Sequence, residues 1–125
     1  MLRVLIADSS KLTAERFRAV LSEIANVTVV GQYVSGQKTL SSLKELRPDL
    51  VLLDQSILDG GGINVLRGIK KHRAGILVMM LLNFDSIQYR DKLRQSGADF
   101  VFFKSTELQE IIEKVTVLSK VTEIP

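Results

Sequence analysis

Apolar runs of strand length alternate along this chain with segments in which apolar residues recur every three or four positions. The runs have the length and composition of strands, and the periodic segments have the pattern of helices that bury one face. The predicted strands are Leu2 to Ala7, Val27 to Tyr33, Leu50 to Asp54, Ile76 to Leu82 and Phe100 to Phe103. Five βα pairs predict an α/β fold, a doubly wound five-stranded parallel sheet with five helices on its two faces.

Each predicted helix has an apolar stripe and polar residues that suit its ends. The expected helix starts are Ser9 or Ser10, Ser35, Asp85 or Ser86, and Ser105 or Thr106. Thr106 and Gln109 have the spacing of a capping box, and Pro48 and Gly97 mark helix ends. The expected inward residues are Phe17, Val20, Leu21 and Ile24; Leu40, Leu43 and Leu46; Ile63, Leu66 and Ile69; Ile87, Tyr89 and Leu93; and Leu108, Ile111, Ile112, Val115 and Leu118.

The composition fits one ordinary globular domain over residues 1–125. A chain of this length with 46% hydrophobic and 25% charged residues can bury a core without disulfides or structural metals. The absence of Cys excludes disulfide frameworks, thiolate metal sites and cysteine nucleophiles. Because no apolar stretch approaches the roughly 20 residues of a membrane helix and no secretion signal is visible, we expect a cytoplasmic protein that does not bind membranes.

The net charge of +3 and the pI near 9.3 raise the question of nucleic-acid binding. Most basic residues are scattered among acidic neighbours, and only Arg67, Lys70, Lys71, His72 and Arg73 cluster. This cluster is most simply the solvated last turn of a helix, where the helix dipole favours cations. We therefore expect no direct nucleic-acid binding, and we interpret His72 as a surface residue.

Three charged residues stand at the ends of predicted strands. Asp8 follows the first strand, Asp54 closes the third and Lys104 follows the fifth. Because the carboxyl ends of parallel strands converge at one edge, we expect these side chains to meet there. Asp54 is the candidate nucleophile for acyl phosphate formation, and Lys104 can pair with it and later with a phosphoryl oxygen. Asp8, Asp54 and the backbone carbonyl of Ser56 could hold Mg²⁺.

Each candidate has a simpler explanation when it is taken alone. A single Asp at a strand end is most often a turn or capping residue. Asp59, followed by Gly60 to Gly62, is most simply a turn before a helix, since the loop lacks the Lys-Ser/Thr pair of a phosphate-cradling loop. The coincidence at three strand ends favours phosphoryl chemistry.

Over essentially its whole length the chain resembles the receiver domain of bacterial two-component response regulators, which has a flavodoxin-like (CheY-like) topology. The residues that carry the resemblance are Val4 to Asp8, Arg47 to Asp54 with Gly62 after the loop, Gly97 to Asp99, and Phe102 to Lys104. Three of these four stretches end at a predicted site residue, namely Asp8, Asp54 or Lys104.

The resemblance implies roles for these residues. Asp54 falls on the aspartate that accepts a phosphoryl group from a histidine kinase or phosphotransfer protein, Lys104 on the invariant lysine and Asp8 on the first of two paired acidic residues. It also implies Mg²⁺ as a cofactor. The implied protein is a signalling module rather than a classical enzyme, although a receiver can catalyse its own phosphorylation and dephosphorylation. Its output is expected through contact with an unknown protein target.

Several positions depart from the pattern that the resemblance implies. Ser9 stands where the second acidic metal ligand is expected, so magnesium binding should weaken. Leu82 stands where a hydroxyl residue grips the phosphoryl group, and Val101 where an aromatic switch residue is expected. Leu58 and Ser105 replace prolines, and Ser10 and Asn83 are polar residues that could compensate.

Two functions compete, with a third in the background. The first is a phosphoryl-accepting receiver, and the second is an atypical receiver that acts as a phosphorylation-independent interaction module. A flavin- or nucleotide-binding protein is disfavoured because the first βα loop, Asp8 to Lys11, contains no glycine. Apolar residues near the end, among Val117, Val121 and Ile124, predict at most a weak homodimer of an otherwise monomeric protein.

Overall fold

The computed structural model describes residues 1–84 and 86–121 and contains one parallel sheet flanked by helices. The strands are β1 (Leu2–Ala7), β2 (Val27–Tyr33), β3 (Leu50–Asp54), β4 (Leu77–Leu82) and β5 (Phe100–Phe103). They lie in the order β2-β1-β3-β4-β5, and each neighbouring pair is parallel. This confirms the predicted topology, in which the strand order reverses at β1 and β3 and opens a crevice at their carboxyl ends.

Four helices connect the strands, and a fifth follows β5. They are α1 (Lys11–Leu21), α2 (Gly36–Leu46), α3 (Gly61–His72), α4 (Ile87–Gln95) and α5 (Leu108–Val121). Ser10, Ser35 and Ser86 cap α1, α2 and α4, each accepting a backbone N–H from the residue three positions on. Gly97 ends α4 with a φ of 113°, as its position predicted. The alternative cap Asp85 lies outside the described residues.

The sheet separates two apolar cores. Leu50 and Leu52 of β3 pack in the core that includes residues of α1 and α5, whereas Val51 and Leu53 pack in the core that includes residues of α2, α3 and α4. Every residue of β3 is buried, as expected for a strand covered on both faces. Asp54 therefore ends a rigid, fully enclosed strand, and the backbone that carries its carboxylate is firmly fixed.

Close backbone packing positions the loop between β3 and α3. A Cβ on Gly62 would lie 2.9 Å from the Cα of Gln55 and 3.0 Å from the Cε of Met80. The Gly62 N–H also donates to the carbonyl of Gln55 at 3.1 Å. Glycine is required here because the first turn of α3 lies directly against the residue that follows Asp54.

Two predicted positions are wrong in detail. β4 begins at Leu77, one residue after the predicted Ile76. Ile87 is 74% exposed although it was expected to face inward. Leu93 is the buried residue of α4, and Ile87 lies about 240° around the helix from it, so the periodicity of the helix places Ile87 on the outer face.

The start of α5 also differs from the prediction. The helix begins at Leu108, after the expected Ser105 or Thr106, and the described residues show no Thr106–Gln109 capping hydrogen bond. The carboxylate of Glu107 instead accepts the N–H of Phe103 at 2.8 Å, which holds the chain in a turn before the helix. Leu108, in the first turn, is 42% exposed and is not part of the buried stripe.

The same Glu107 carboxylate joins three elements. Its Oε1 pairs with the Arg90 guanidinium of α4, which lies over the ring of Phe103 at 4.3 Å. We call Arg90, Phe103 and Glu107 the α4–α5 clamp.

No helix among the described residues is long and apolar enough to cross a membrane.

Candidate functional site

The three charged strand-end residues meet in the crevice at the carboxyl edge of the sheet. Lys104 Nζ lies 2.7 Å from Asp8 Oδ2 and 3.1 Å from Asp54 Oδ1. The exposed fractions of the three side chains are 14% for Lys104, 2% for Asp8 and 1% for Asp54. The predicted meeting of two carboxylates and one ammonium is therefore what the fold produces, and it is nearly closed to solvent.

The Asp8 carboxylate is oriented by the start of α1. Its Oδ1 accepts the backbone N–H of Ser10 at 2.9 Å, and its Oδ2 faces the Lys104 ammonium. Burial raises the pKa of Asp8, and the nearby Asp54 charge acts in the same direction; the hydrogen bonds from Lys104 and Ser10 offset only part of that rise. Asp8 is thus the more easily protonated of the two carboxylates.

The Asp54 carboxylate is held by four donors. Its Oδ2 accepts the hydroxyl of Ser9 at 2.7 Å and the backbone N–H of Ser9 at 3.2 Å. Its Oδ1 accepts the backbone N–H of Ser56 at 3.1 Å and contacts Lys104 Nζ. Burial alone would raise the pKa of Asp54, but these hydrogen bonds and the ammonium charge outweigh burial and lower it, so Asp54 is held ionised.

Polar side chains tie the two loops beside Asp54 together. The backbone N–H of Asn83, after β4, donates to Gln55 Oε1 at 2.9 Å, and the Asn83 side-chain amide donates to Ser56 Oγ at 3.0 Å. Asn83 therefore supports the loop that carries Ser56 and does not contact Asp54. Sequence reasoning did not identify Gln55, although its position directly after the third strand was a usable signal.

Ser9, Leu82 and Val101, which depart from the family pattern, have distinct environments. Ser9 is partly buried and bonded to Asp54, whereas Leu82 and Val101 are buried in the apolar core that faces α3 and α4. Leu82 has no polar atom to offer in its side chain, so the described part of this strand end supplies no hydroxyl. Ser10 acts through its backbone and as the cap of α1, and His72 is exposed, as predicted.

The two buried carboxylates are oxygen donors of the kind that a magnesium ion takes as ligands. Asp8 and Asp54 present carboxylate oxygens on either side of one ammonium, and carboxylate oxygens are the ligands that Mg²⁺ prefers. Within residues 1–84 and 86–121, no group of three or more His, Cys, Asp or Glu side chains could hold a metal. Magnesium commonly completes its shell with water, so two carboxylates and a loop carbonyl suffice, with less charge than three acids would give.

Comparison with known proteins places this architecture in a family. Residues 4–116 match the family model described as the response regulator receiver domain. Response regulator GacA from Pseudomonas viridiflava is 29% identical over 118 residues, which cover 94% of this chain and 55% of that protein. Response regulator protein VraR from Staphylococcus aureus (strain Mu3) is 29% identical over 119 residues, which cover 95% of this chain and 57% of that protein. The chain thus spans about half the length of these curated relatives.

Solved structures agree with this placement. The signal receiver domain of NarL from Mycobacterium tuberculosis matches with a TM-score of 0.85 and 26% identity, covering 95% of this chain and 96% of that one. The receiver domain of RcsB from Salmonella enterica serovar Typhimurium, determined with the phosphomimetic BeF3−, matches with a TM-score of 0.88 and 20% identity, covering 95% and 88%. The second likeness concerns the fold alone.

Receiver domains are phosphoacceptor signalling modules rather than classical enzymes, and the fold and the charged crevice described above agree with that class. The chain belongs to the response regulator receiver family. Receiver domains take phosphoryl groups from histidine kinases, and the family typically binds Mg²⁺. The flavin- or nucleotide-binding alternative is therefore set aside.

Proposed function

We propose that Asp54 accepts a phosphoryl group from the phosphohistidine of a kinase or phosphotransfer protein. An Asp54 oxygen forms a bond to phosphorus while the bond from phosphorus to the histidine nitrogen breaks, and the imidazole keeps the electron pair. The observation that carries this proposal is the buried, ionised Asp54 carboxylate in contact with Lys104. An ionised carboxylate needs no general base to act as a nucleophile.

The other charged residues serve the transfer. Lys104 offsets the negative charge of the incoming phosphoryl oxygens and then pairs with the product. Asp8, Asp54 and the carbonyl of Ser56 would hold Mg²⁺, which supplies charge neutralisation at the phosphoryl oxygens. Ser9 leaves this set with one fewer acid, so we expect a lower affinity for magnesium than a site with three carboxylates would have.

The output is proposed to be a change in protein–protein contact, with the downstream target unknown. Activity of this kind suits the cytoplasm, where the kinase that supplies the phosphoryl group would act. The basic last turn of α3 is partly neutralised because Lys70 pairs with Asp99 at 2.7 Å. We therefore propose a protein partner and no direct contact with nucleic acid.

The proposal is tested by incubating the protein with a small acyl phosphate and Mg²⁺ and measuring its intact mass. We expect the mass to increase by one phosphoryl group in the wild type and not in Asp54→Asn. Asp91→Asn, an exposed substitution on α4, is the matched control and should be modified like the wild type. If neither acyl phosphates nor candidate kinases add a phosphoryl group to the folded wild type, the proposal fails.

A second candidate function is a phosphorylation-independent interaction module. The observation that favours it is the burial of Leu82 and Val101 in an apolar core, which leaves no hydroxyl or aromatic side chain at those two positions to move with a phosphoryl group. The two candidates are separated in the host. An Asp54→Asn variant that is folded and fully active supports the second function, and one that is folded but inactive supports the first.

A further inference from the structure

The hydrogen-bonding capacity of the Asp54 carboxylate is fully used in this structure, so a magnesium ion that took Asp54 as a ligand would also have to displace one of its donors. Two carboxylate oxygens offer about four acceptor positions in all. Oδ2 accepts the hydroxyl and the N–H of Ser9, and Oδ1 accepts the N–H of Ser56 and contacts Lys104. Whichever oxygen bonds to phosphorus must therefore lose a donor that it has in this structure.

The four donors differ in how readily they can leave. The two backbone N–H groups belong to Ser9 and Ser56, whose loops are fixed by the start of α1 and by the contacts around Gln55. Lys104 also pairs with Asp8 at 2.7 Å, so it can turn towards a phosphoryl oxygen and still remain beside the two carboxylates. The Ser9 hydroxyl has no second partner among the described residues, and it can turn away by rotation about one side-chain bond.

The chemistry of the Ser9 hydroxyl also separates it from the acidic residue expected at this position. A carboxylate there would repel Asp54 and attract a cation, whereas a hydroxyl donates a proton to Oδ2. A hydrogen bond to a charged group stabilises the ground state of the nucleophile and must be given up when that oxygen bonds to phosphorus.

We propose that the Ser9 hydroxyl is a positioning group that caps Oδ2 of Asp54 and slows phosphoryl transfer until it rotates away. In the transfer, Oδ2 forms a bond to phosphorus, the donor's bond to phosphorus breaks, and the donor group leaves with the electron pair. Ser9 keeps its own proton throughout. This inference rests on the proposed function of Asp54, and it adds a rate-setting role for a residue that touches the nucleophile.

The test compares wild type with Ser9→Ala, which removes the hydroxyl, and Ser9→Thr, which retains it. The first measurement is the Asp54 13Cγ resonance of metal-free protein at a fixed pH of 7, assigned by its absence in Asp54→Asn. The second is the rate of modification by an acyl phosphate at saturating Mg²⁺, followed by intact mass. Ser41→Ala, which removes an exposed hydroxyl in α2, is the control.

We expect Ser9→Ala to shift the Asp54 resonance and to accept the phosphoryl group about tenfold faster, the factor that corresponds to one charge-assisted hydrogen bond. Ser9→Thr should restore the wild-type resonance and rate, and Ser41→Ala should change neither. An unchanged resonance in Ser9→Ala, or a rate equal to or below that of wild type, overturns the inference. If neither the wild type nor any variant is modified, both the proposed function of Asp54 and the proposed effect of Ser9 on the rate are refuted. The Asp54 resonance then still shows whether the Ser9 hydroxyl bonds to Asp54.

Discussion

At the scale of single residues, the two buried carboxylates respond to the same surroundings in opposite ways. Asp54 has four donors and a lowered pKa, whereas burial outweighs the favourable contacts of Asp8 and raises its pKa. Lys104 contacts both carboxylates and each also accepts a backbone N–H, so the difference comes from the Ser9 hydroxyl, which lowers the pKa of Asp54, and from the Asp54 charge, which raises the pKa of Asp8. The pair should therefore affect stability with opposite signs.

The two Asn substitutions test this difference in metal-free protein. The ionised Asp54 stabilises the fold above its unfolded pKa, near 3.8, and this contribution is lost as pH falls through the lower folded pKa. Asp54→Asn should therefore lower the free energy of unfolding at pH 7 by about 1.5–3 kcal/mol, the range for hydrogen bonds to a charged group. This difference in the free energy of unfolding between the wild type and Asp54→Asn should persist at pH 4 and narrow only below that pH.

Asp8→Asn should have the opposite effect. The folded pKa of Asp8 lies above its unfolded value, so its contribution to stability falls as pH rises through that folded pKa. The substitution should raise the free energy of unfolding at pH 7, with the gain shrinking towards pH 4. Urea unfolding of both variants over this pH range gives the comparison. A less stable Asp8→Asn protein at pH 7 would mean that the Lys104 ion pair outweighs burial.

At the scale of secondary-structure elements, the site depends on how closely α3 approaches the end of β3. Gly62 permits that approach, whereas Gly75 in the turn before β4 has no heavy atom within 4 Å of an added Cβ. The two glycines differ in surroundings although neither has a positive φ. Alanine substitutions at the two positions can therefore separate the effect of a steric contact in the folded protein from the effect on the entropy of the unfolded chain.

We expect Gly62→Ala to destabilise the fold by about 1–3 kcal/mol, because the added methyl group must displace Gln55 or Met80. Gly75→Ala should change the free energy of unfolding by at most about 1 kcal/mol and can raise it, since alanine restricts the unfolded chain. Chemical denaturation of both variants measures this contrast. Equal effects at the two positions would show that the close approach at Gly62 is not a constraint.

At the scale of the whole molecule, exposed apolar residues on α5 remain the basis for a predicted weak dimer. Val117 is 54% exposed and Val121 is 61% exposed, while Ile124 lies outside the described residues. Two exposed valines make a small apolar patch, well below the area of a stable interface. Such a patch supports association only at high concentration.

Sedimentation over a range of protein concentrations tests this prediction. We expect a monomer at micromolar concentration and partial dimer near millimolar concentration in the wild type. Val117→Lys combined with Val121→Lys should remain monomeric throughout, whereas Ile87→Lys, an equally drastic change on α4, should behave as the wild type does. A wild-type monomer at every concentration would refute pairing through α5.

Much of this fold could be predicted from the sequence because periodicity reports burial directly. β1, β2, β3 and β5 begin and end where the apolar runs do, and the three strand ends bring Asp8, Asp54 and Lys104 together. These features depend on topology, which the order of apolar runs determines.

The errors arise where tertiary contacts decide local structure. The start of α5 depends on Glu107, whose side chain bonds to Phe103 and Arg90, and no local pattern identifies that partner. From the sequence, Ser9 was expected only to remove one negative charge from the metal site. Its bond to Asp54 could be recognised only once the loop after β1 was placed beside the end of β3.

The α4–α5 clamp has a consequence for how this surface can change over evolutionary time. Leu93 is the one side chain that α4 buries deeply; Tyr89 packs partly buried against the same core, and Arg90 adds an ion pair to Glu107. Loss of Arg90 would leave the Glu107 carboxylate, which is 24% exposed, without this ion pair, so a substitution of Arg90 is tolerated best when Glu107 changes with it. The exposed residues on the outer face of α4 are not constrained by this ion pair. New binding specificities can therefore arise there by single substitutions, whereas a change at Arg90 is best accompanied by a change at Glu107.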